Sequence, residues 1–428
     1  MILTLSLCFV GLLFLGMPIS VLLALSTGLV LLVFTNTPLT ILAQQLFNAL
    51  DNFVLLAIPF FILAGGLMTE GAIARRLIAV MNLLVGRFRG GAAMATVVAC
   101  VFFAALSGSS PATVVAIGSI MYPALMKQGY SQKFATGLVT TAGSLGIVIP
   151  PSIPMILYCL VMNVSVAKLF MAGVVPGLMI GLALMGYTAF LSRRYGWRSE
   201  RRYNRGEALK VLKDGIWALL LPVIVLGGIY SGAFTPTEAA AVSVVYALIV
   251  EFFIYKELTL AKLFKVCRDS AMLSACLLFI LACAMTFVWL LTAEQLPGLV
   301  ADYIMSVVDS WWMFLILVTV FFLITGAVMD AVSAMIVLSP LFMETLARFN
   351  IDLIHYGIVM VLMIEFGFLT PPFGLNLFVS MGMTGQSLTK VGAAVVPFLL
   401  VLFACIMLIT FIPEICLFLP NLLLSGLK

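Results

Sequence analysis

Charge is scarce in this sequence of 428 residues. Only 9% of the residues are charged, whereas 64% are hydrophobic, and an ordinary soluble domain carries about 25% charged residues. So little charge cannot cover a soluble surface. Apolar stretches recur along the whole chain, and a stretch of ~20 residues is long enough to cross ~30 Å of hydrocarbon. The composition therefore predicts an integral membrane protein that has the lipid bilayer as a partner.

Other features are also rare, and each absence excludes a class of protein. The chain has one histidine, His355, and eight cysteines without a C-x-x-C pair, which argues against a metal centre or a disulfide framework. The alternating ten-residue strands of a membrane β-barrel are missing as well. Spans and short loops use up the chain, so no room remains for an extramembrane catalytic domain. We expect an all-α membrane protein without an organic cofactor, with about 11 to 13 membrane segments.

Positive charge is concentrated in a few loops. Residues 193–214 contain eight Arg and Lys residues and are the most polar stretch of the chain. Because basic loops of membrane proteins face the cytoplasm, we interpret this segment as a cytoplasmic linker and not as a nucleic-acid site. It separates an N-terminal half, residues 1–192, from a C-terminal half, residues 215–428. Basic residues within 75–89 and 256–268 predict further cytoplasmic loops.

The two halves contain related segments. The sequence GSLGIVIPPSIPMILY at 143–158 corresponds to IEFGFLTPPFGLNLFV at 364–379. In this alignment Pro150–Pro151 match Pro371–Pro372, with an offset of 371 − 150 = 221. The sequence therefore predicts a duplication in which both copies carry a double proline inside an apolar segment.

A second correspondence lies upstream, between SGSSPATVVAIGSIMYPAL at 107–125 and TGAVMDAVSAMIVLSPLF at 325–342. Each half thus holds a polar turn followed by a double-proline break. A proline inside a helix costs roughly 3 kcal/mol, and irregular backbone survives at membrane depth only where protein or a water-filled cavity satisfies it. Duplications of this kind are commonly inverted, with broken helices around ions and substrate at the midplane. A packing kink would explain one break, but two matched breaks favour a binding site.

Interrupted helices expose backbone carbonyls, which are natural ligands for a hard monovalent cation. We therefore predict sodium sites, rather than a proton relay of chained acids and histidines. The first set is Gly146, Ile149, Pro151 and Ser152, and the second is Gly326, Gly367, Thr370, Pro372 and Phe373.

Two features near the breaks suit an anionic substrate or its ions. In SGSSPAT, Pro111 fits the first turn of a new helix, and a helix N-terminus attracts anions; a packing turn is the alternative. Asp330 lies among apolar residues, and a charged carboxylate at membrane depth costs at least ~2.5 kcal/mol. Asp330 is therefore a functional candidate. A helix-capping role is compatible with such a function. Glu365 beside the second break remains open between a functional and an interfacial position.

Four motifs, SGSSPATVVAIGSIMYPAL, GIVIPPSIPMILY, TPTEAAA and FLTPPFGLNLFV, resemble those of the large membrane subunit of tripartite ATP-independent periplasmic (TRAP) transporters. The resemblance covers nearly the whole chain. It implies a transporter and not an enzyme: a sodium-driven importer of organic acid anions in the bacterial inner membrane. It also implies two partners, a small membrane subunit and a periplasmic substrate-binding protein. The implied fold has inverted repeats, re-entrant hairpins and discontinuous helices, with a core that moves as an elevator.

The resemblance also implies the positions of the sites. Two or more sodium ions would lie at two sets of residues: Ser107, Gly146, Ile149 and Pro151, and Gly326, Gly367, Thr370 and Phe373. The substrate would lie between the turns, at Ser109, Ser110, Ser152, Asp330 and Asn376. After Asp330 this chain has AVSA where the family often has a turn former, which leaves the shape of the second turn open.

Three alternative functions make different demands on the sequence. A single-component sodium/dicarboxylate carrier of the same superfamily would need no binding protein. An intramembrane hydrolase is disfavoured because neither H-E-x-x-H nor G-x-S-x-G occurs. A passive channel is disfavoured because paired breaks are typical of alternating access.

Overall fold

The computed structural model describes residues 2–35, 37–197, 203–328, 331–372 and 374–424. All regular secondary structure in these ranges is helical, which confirms the predicted all-α class. Five described helices are long and apolar enough to span a membrane, and one bent helix pair could form a sixth span. Several shorter apolar helices of 10–17 residues accompany them. The protein is therefore a multi-pass membrane protein that combines full-length spans with shorter apolar helices.

The first half begins with two helices where the sequence suggests one apolar stretch, because Pro18 separates them. Short 3₁₀ turns precede the fourth helix and follow the eighth. The helices of this half are α1 Ile2–Phe14, α2 Ile19–Phe34, α3 Thr40–Leu50, α4 Ala57–Glu70, α5 Ile73–Val85, α6 Gly91–Ser107, α7 Ser110–Lys127, α8 Gln132–Ser144, α9 Ile153–Met162 and α10 Val166–Tyr195.

The second half follows the basic segment, much of which is helical. A capping box formed by Asn204 and Glu207 starts its first helix, and a second capping box formed by Thr235 and Glu238 starts the next one. The helices are α11 Arg205–Tyr230, α12 Pro236–Ile249, α13 Leu260–Ala293, α14 Leu296–Val307, α15 Trp311–Val328, α16 Ala331–Leu341, α17 Met343–Arg348, α18 Leu353–Phe368, α19 Leu375–Thr384, α20 Leu388–Phe411 and α21 Glu414–Leu424.

The order of elements recurs in the two halves. In the first half a turn joins α6 to α7 and a break separates α8 from α9; in the second half α16 follows α15 and a break separates α18 from α19. The peptide bonds Pro150–Pro151 and Pro371–Pro372 are both cis. The opposite orientation of the copies, the division at residues 193–214 and the elevator motion stay predictions.

Two groups of helices flank the candidate site. In one group, α4 packs against α12 and α13, and α5 packs against α11. A buried carboxylate connects α12 to α5 within this group. Glu251, in a π-helical turn after α12, accepts hydrogen bonds from the backbone N–H groups of Ala72 and Ile73 at the start of α5. In the other group, α7 packs on α8, α8 on α20, and α19 on α7.

Candidate functional site

The first polar turn connects two helices that end and begin within three residues of each other. Ser107 ends α6, Gly108 adopts a left-handed conformation with φ of +58°, and Ser109 is the extended N-cap residue of α7. Pro111 lies in the first turn of α7, as the sequence predicts. The side chain of Ser109 makes no capping hydrogen bond, so the first backbone N–H groups of α7 are not satisfied by that hydroxyl.

Three oxygen atoms cluster inside this turn. Ser107 Oγ lies 2.9 Å from Thr113 Oγ1 and 3.3 Å from the carbonyl oxygen of Ser109. Thr113 Oγ1 in turn donates a hydrogen bond of 2.9 Å to the Ser109 carbonyl. Ser107 was predicted as a cation ligand, whereas Thr113 was not part of that set. Its spacing is the signal that could have found it, because a residue four positions after Ser109 lies over the same turn of a helix.

The first break brings further backbone oxygens to this cluster. A Cβ atom on Gly146 would lie only 2.5 Å from the Ser109 carbonyl oxygen, and one on Gly108 would lie 2.9 Å from the Pro151 carbonyl oxygen. The N–H group of Ile153 donates to the carbonyl of Gly108 at 3.2 Å. The break and the turn therefore touch through backbone atoms, and only glycine permits the approach.

Two other predicted residues of the first break are placed differently. Ile149 is buried against α10, where a Cβ atom on Gly177 would lie 2.5 Å from Ile149 Cγ1, so its side chain packs while only its backbone is available to a ligand. Ser152 is the N-cap residue of α9, and its hydroxyl accepts from the N–H of Met155 at 3.4 Å. The structure thus assigns Ser152 a capping position beside the cluster.

Four helix ends meet at the first turn and break. The C-termini of α6 and α8 carry partial negative charge, and the N-termini of α7 and α9 carry partial positive charge. Within the described residues, no group of three or more His, Cys, Asp or Glu side chains could hold a metal ion. The donor set here consists of hydroxyl and carbonyl oxygens, which suits a hard cation such as sodium better than a transition metal.

The second break has a similar backbone arrangement. The N–H of Thr370 donates to the carbonyl of Gly367 at 3.1 Å, and its hydroxyl donates to the carbonyl of Phe366 at 2.8 Å. A Cβ atom on Gly374 would lie 2.8 Å from the Phe368 carbonyl oxygen and 2.9 Å from that of Thr370. Two carbonyls therefore converge on Gly374.

The remaining predicted residues of the second half are only partly described. Gly326 lies in the last turn of α15, the helix that leads to the second polar turn. Asp330 and Phe373 lie outside the described residues. The second set of cation ligands and the acidic member of the substrate set stay predictions.

Direct hydrogen bonds join the two halves beside the breaks. Asn376 Nδ2 donates to Ser110 Oγ at 2.6 Å, and both residues are fully buried. Asn376 Oδ1 has no hydrogen-bond partner among the described residues. One turn into α19, Ser380 Oγ lies 2.7 Å from Thr140 Oγ1 of α8. The structure thus brings together the predicted substrate residues Ser110 and Asn376 and leaves a buried amide oxygen beside them.

A cavity of about 510 Å³ lies between the first turn and the helices α4 and α13. Ser109 and Ser110 line it, whereas the buried Ser152 and Asn376 do not. Its charged lining comes from Glu70 at the end of α4 and from Lys265 and Asp269 near the start of α13, and Lys265 Nζ lies 3.5 Å from Glu70 Oε1.

Comparison with known proteins assigns the chain to a family. Residues 6–415 match the family model described as "Tripartite ATP-independent periplasmic transporter, DctM component". The chain is 46% identical, over 93% of each sequence, to the C4-dicarboxylate TRAP transporter large permease protein DctM of Pseudomonas aeruginosa. It is 42% identical, over 97% of each sequence, to the protein of the same name from Rhodobacter capsulatus. A solved structure of the YdaH transporter of Alcanivorax borkumensis is similar in fold, with a TM-score of 0.58, 14% identity and 86% of both chains covered.

Proposed function

Because this chain belongs to the DctM component family of tripartite ATP-independent periplasmic transporters, as a large permease protein and not an enzyme, we propose that it imports a small organic acid anion into bacteria, driven by sodium. We place it in the inner membrane. As the word tripartite indicates, we propose two partners, a small membrane subunit and a periplasmic substrate-binding protein that delivers the anion.

The observation that carries the sodium proposal is the oxygen cluster of the first turn. Ser107 Oγ, Thr113 Oγ1 and the Ser109 carbonyl oxygen lie within 2.9–3.3 Å of each other, and the carbonyl of Pro151 faces Gly108 across the turn. Hydrogen bonds join these oxygens in the structure, and a sodium ion bound among them would take the place of those bonds. The C-termini of α6 and α8 add negative potential. We assign the second cation to Gly326, Gly367, Thr370 and Phe373 by repeat equivalence.

We place the anion site at the two helix N-termini that adjoin the proposed cation site. The N-termini of α7 and α9 present positive potential, and Ser110 and Asn376 provide a hydroxyl and an amide beside them. Ser109, Ser152 and Asp330 complete the proposed set. The relatives with 46% and 42% identity are named as C4-dicarboxylate transporters, so a C4-dicarboxylate is the substrate class we propose to test first.

The cavity suggests which state the structure represents. Lys265 belongs to a basic segment that we expect to face the cytoplasm, and it lines the cavity together with Ser109 and Ser110. The site would then be accessible from the cytoplasm, as expected after substrate release. In the proposed elevator cycle, the turns and breaks move past α4 and α13. Gly65 lets α4 lie close to the first turn, because a Cβ atom on Gly65 would lie only 3.2 Å from Ser107 Cα.

The test is uptake by proteoliposomes that contain the chain with its small subunit, with the binding protein and a labelled C4-dicarboxylate outside. We expect uptake with an inward sodium gradient and little without it. Equal uptake in both conditions would reject sodium coupling. Uptake by the chain without its binding protein would instead support a single-component carrier.

The proposed role of Asp330 has its own test. Asp330→Ala should abolish uptake while the thermal unfolding of the purified protein stays close to that of the wild type. Asp269→Ala is a suitable control, because Asp269 is an exposed carboxylate in the cavity lining that pairs only with its neighbour Arg268 among the described residues. Full activity of the Asp330 variant would remove this residue from the site.

A further inference from the structure

The side chains of Ser144 and Glu365 form a hydrogen bond that joins the two halves of the chain next to both helix breaks. Ser144 Oγ lies 2.6 Å from Glu365 Oε1, and both residues are fully buried. Ser144 is the last residue of α8, and Glu365 lies in the last turn of α18. The bond therefore connects the two helices at the points where each loses its regular structure.

The two residues also occupy equivalent positions in the duplicated sequence. Their offset, 365 − 144 = 221, is the one that aligns Pro371–Pro372 with Pro150–Pro151. In an arrangement with two-fold symmetry, a residue contacts its own counterpart only near the axis that relates the copies. In the inverted arrangement proposed above, this bond would therefore mark the axis between the two breaks.

Each partner precedes a glycine of a proposed cation site by two residues, Gly146 after Ser144 and Gly367 after Glu365. Ser144 Oγ also lies 2.7 Å from the carbonyl oxygen of Thr141, so the hydroxyl is held between its own helix and α18. Glu365 Oε2 has no hydrogen-bond partner among the described residues. Because hydrogen bonds weaken steeply as their geometry departs from the ideal, this contact resists a shift of one helix end relative to the other.

We propose that the Ser144–Glu365 hydrogen bond is a positioning contact that couples the two cation sites, an inference that rests on the proposed sodium-driven function. A cation at the first break fixes the end of α8. The bond then fixes the end of α18, so the second cation meets a site that is already formed. Such coupling between two sites is reciprocal and appears as cooperative sodium binding.

The experiment measures equilibrium binding of radioactive sodium to the purified complete transporter as a function of sodium concentration. The wild type should have a Hill coefficient above one. Ser144→Ala should lower it to about one, since uncoupled sites bind independently. Ser144→Thr keeps the hydroxyl and Glu365→Gln keeps an oxygen acceptor, so both variants should retain cooperativity. Glu365→Met removes the same bond from the other side and should reproduce the loss.

A matched control lies one turn earlier on α8. Thr140 Oγ1 is also buried, lies 2.7 Å from Ser380 Oγ in the second half and donates to the carbonyl of Thr136 at 2.7 Å. Thr140→Val therefore breaks a comparable link at positions that are not repeat equivalents, and it should keep the Hill coefficient. An unchanged coefficient in both Ser144→Ala and Glu365→Met, or an equal loss in Thr140→Val, overturns the coupling. Sodium-independent uptake by the wild type overturns the proposed function itself, and the coupling with it.

Discussion

Gly108 offers the sharpest perturbation of the first turn. It has φ of +58°, and a Cβ atom on it would lie 2.9 Å from the Pro151 carbonyl oxygen. Gly129, in the turn between α7 and α8, has φ of +79° and no atom within 4 Å of such a Cβ position. The two glycines thus share the backbone requirement and differ in the contact with the break.

The expected magnitudes follow from this difference. A left-handed conformation costs a residue with a side chain roughly 1–2 kcal/mol, so Gly129→Ala should lower stability by about this amount and Gly108→Ala by more, because its Cβ atom would also press on a backbone oxygen. Only Gly108→Ala pushes the turn away from Pro151. A displacement of these oxygens that weakens sodium binding by ~1.4 kcal/mol raises the half-activating sodium concentration about tenfold.

The assay compares thermal unfolding of the two purified variants with their sodium-dependent uptake in proteoliposomes. We expect lowered unfolding midpoints for both variants, with the larger decrease in Gly108→Ala. Sodium activation should be near normal for Gly129→Ala and strongly right-shifted for Gly108→Ala. If the two variants have the same sodium activation curve, the close approach of turn and break has no part in cation binding, and the reasoning is refuted.

Three further predictions concern other contacts. Thr113→Val should raise the half-activating sodium concentration about tenfold, since a ligand oxygen is lost, whereas Thr96→Val, which removes a buried hydroxyl bonded within α6, should leave it unchanged in the same uptake assay. Glu251→Ala should destabilise the protein by about 2–4 kcal/mol, because it leaves buried N–H groups at the start of α5 unpaired; in thermal unfolding, the loss should exceed that of the exposed helix cap variant Glu238→Ala. Gly65→Val should slow uptake at saturating sodium without shifting sodium activation; a shifted curve would place Gly65 in the ion site instead.

Much of the architecture follows from the sequence because its signals are local. Low charge and long apolar stretches predict a helical membrane protein, and Pro111 marks a helix start that the structure confirms at α7. Helix boundaries inside apolar stretches are less predictable. Pro18 divides the first apolar stretch, and α11 begins within the segment interpreted as a linker because Asn204 and Glu207 form a capping box.

The site was only partly predictable for a different reason. The breaks and the serine-rich turn are visible as motifs, but the contacts between them depend on tertiary packing. Thr113 joins the oxygen cluster through a local contact with Ser109 that its four-residue spacing could have revealed, whereas Ser144 meets Glu365 across 221 residues of sequence. Such a pair cannot be identified from the sequence of one segment, because it forms only when the helices pack together.

The central claim is that the first turn and its break form a sodium site built from hydroxyl and carbonyl oxygens. The most direct measurement is equilibrium binding of radioactive sodium to the purified transporter, wild type against the double variant Ser107→Ala/Thr113→Val. We expect saturable binding by the wild type and a loss of bound sodium in the double variant. Wild-type protein without saturable sodium binding, or a double variant that binds as much sodium with the same affinity, would contradict it.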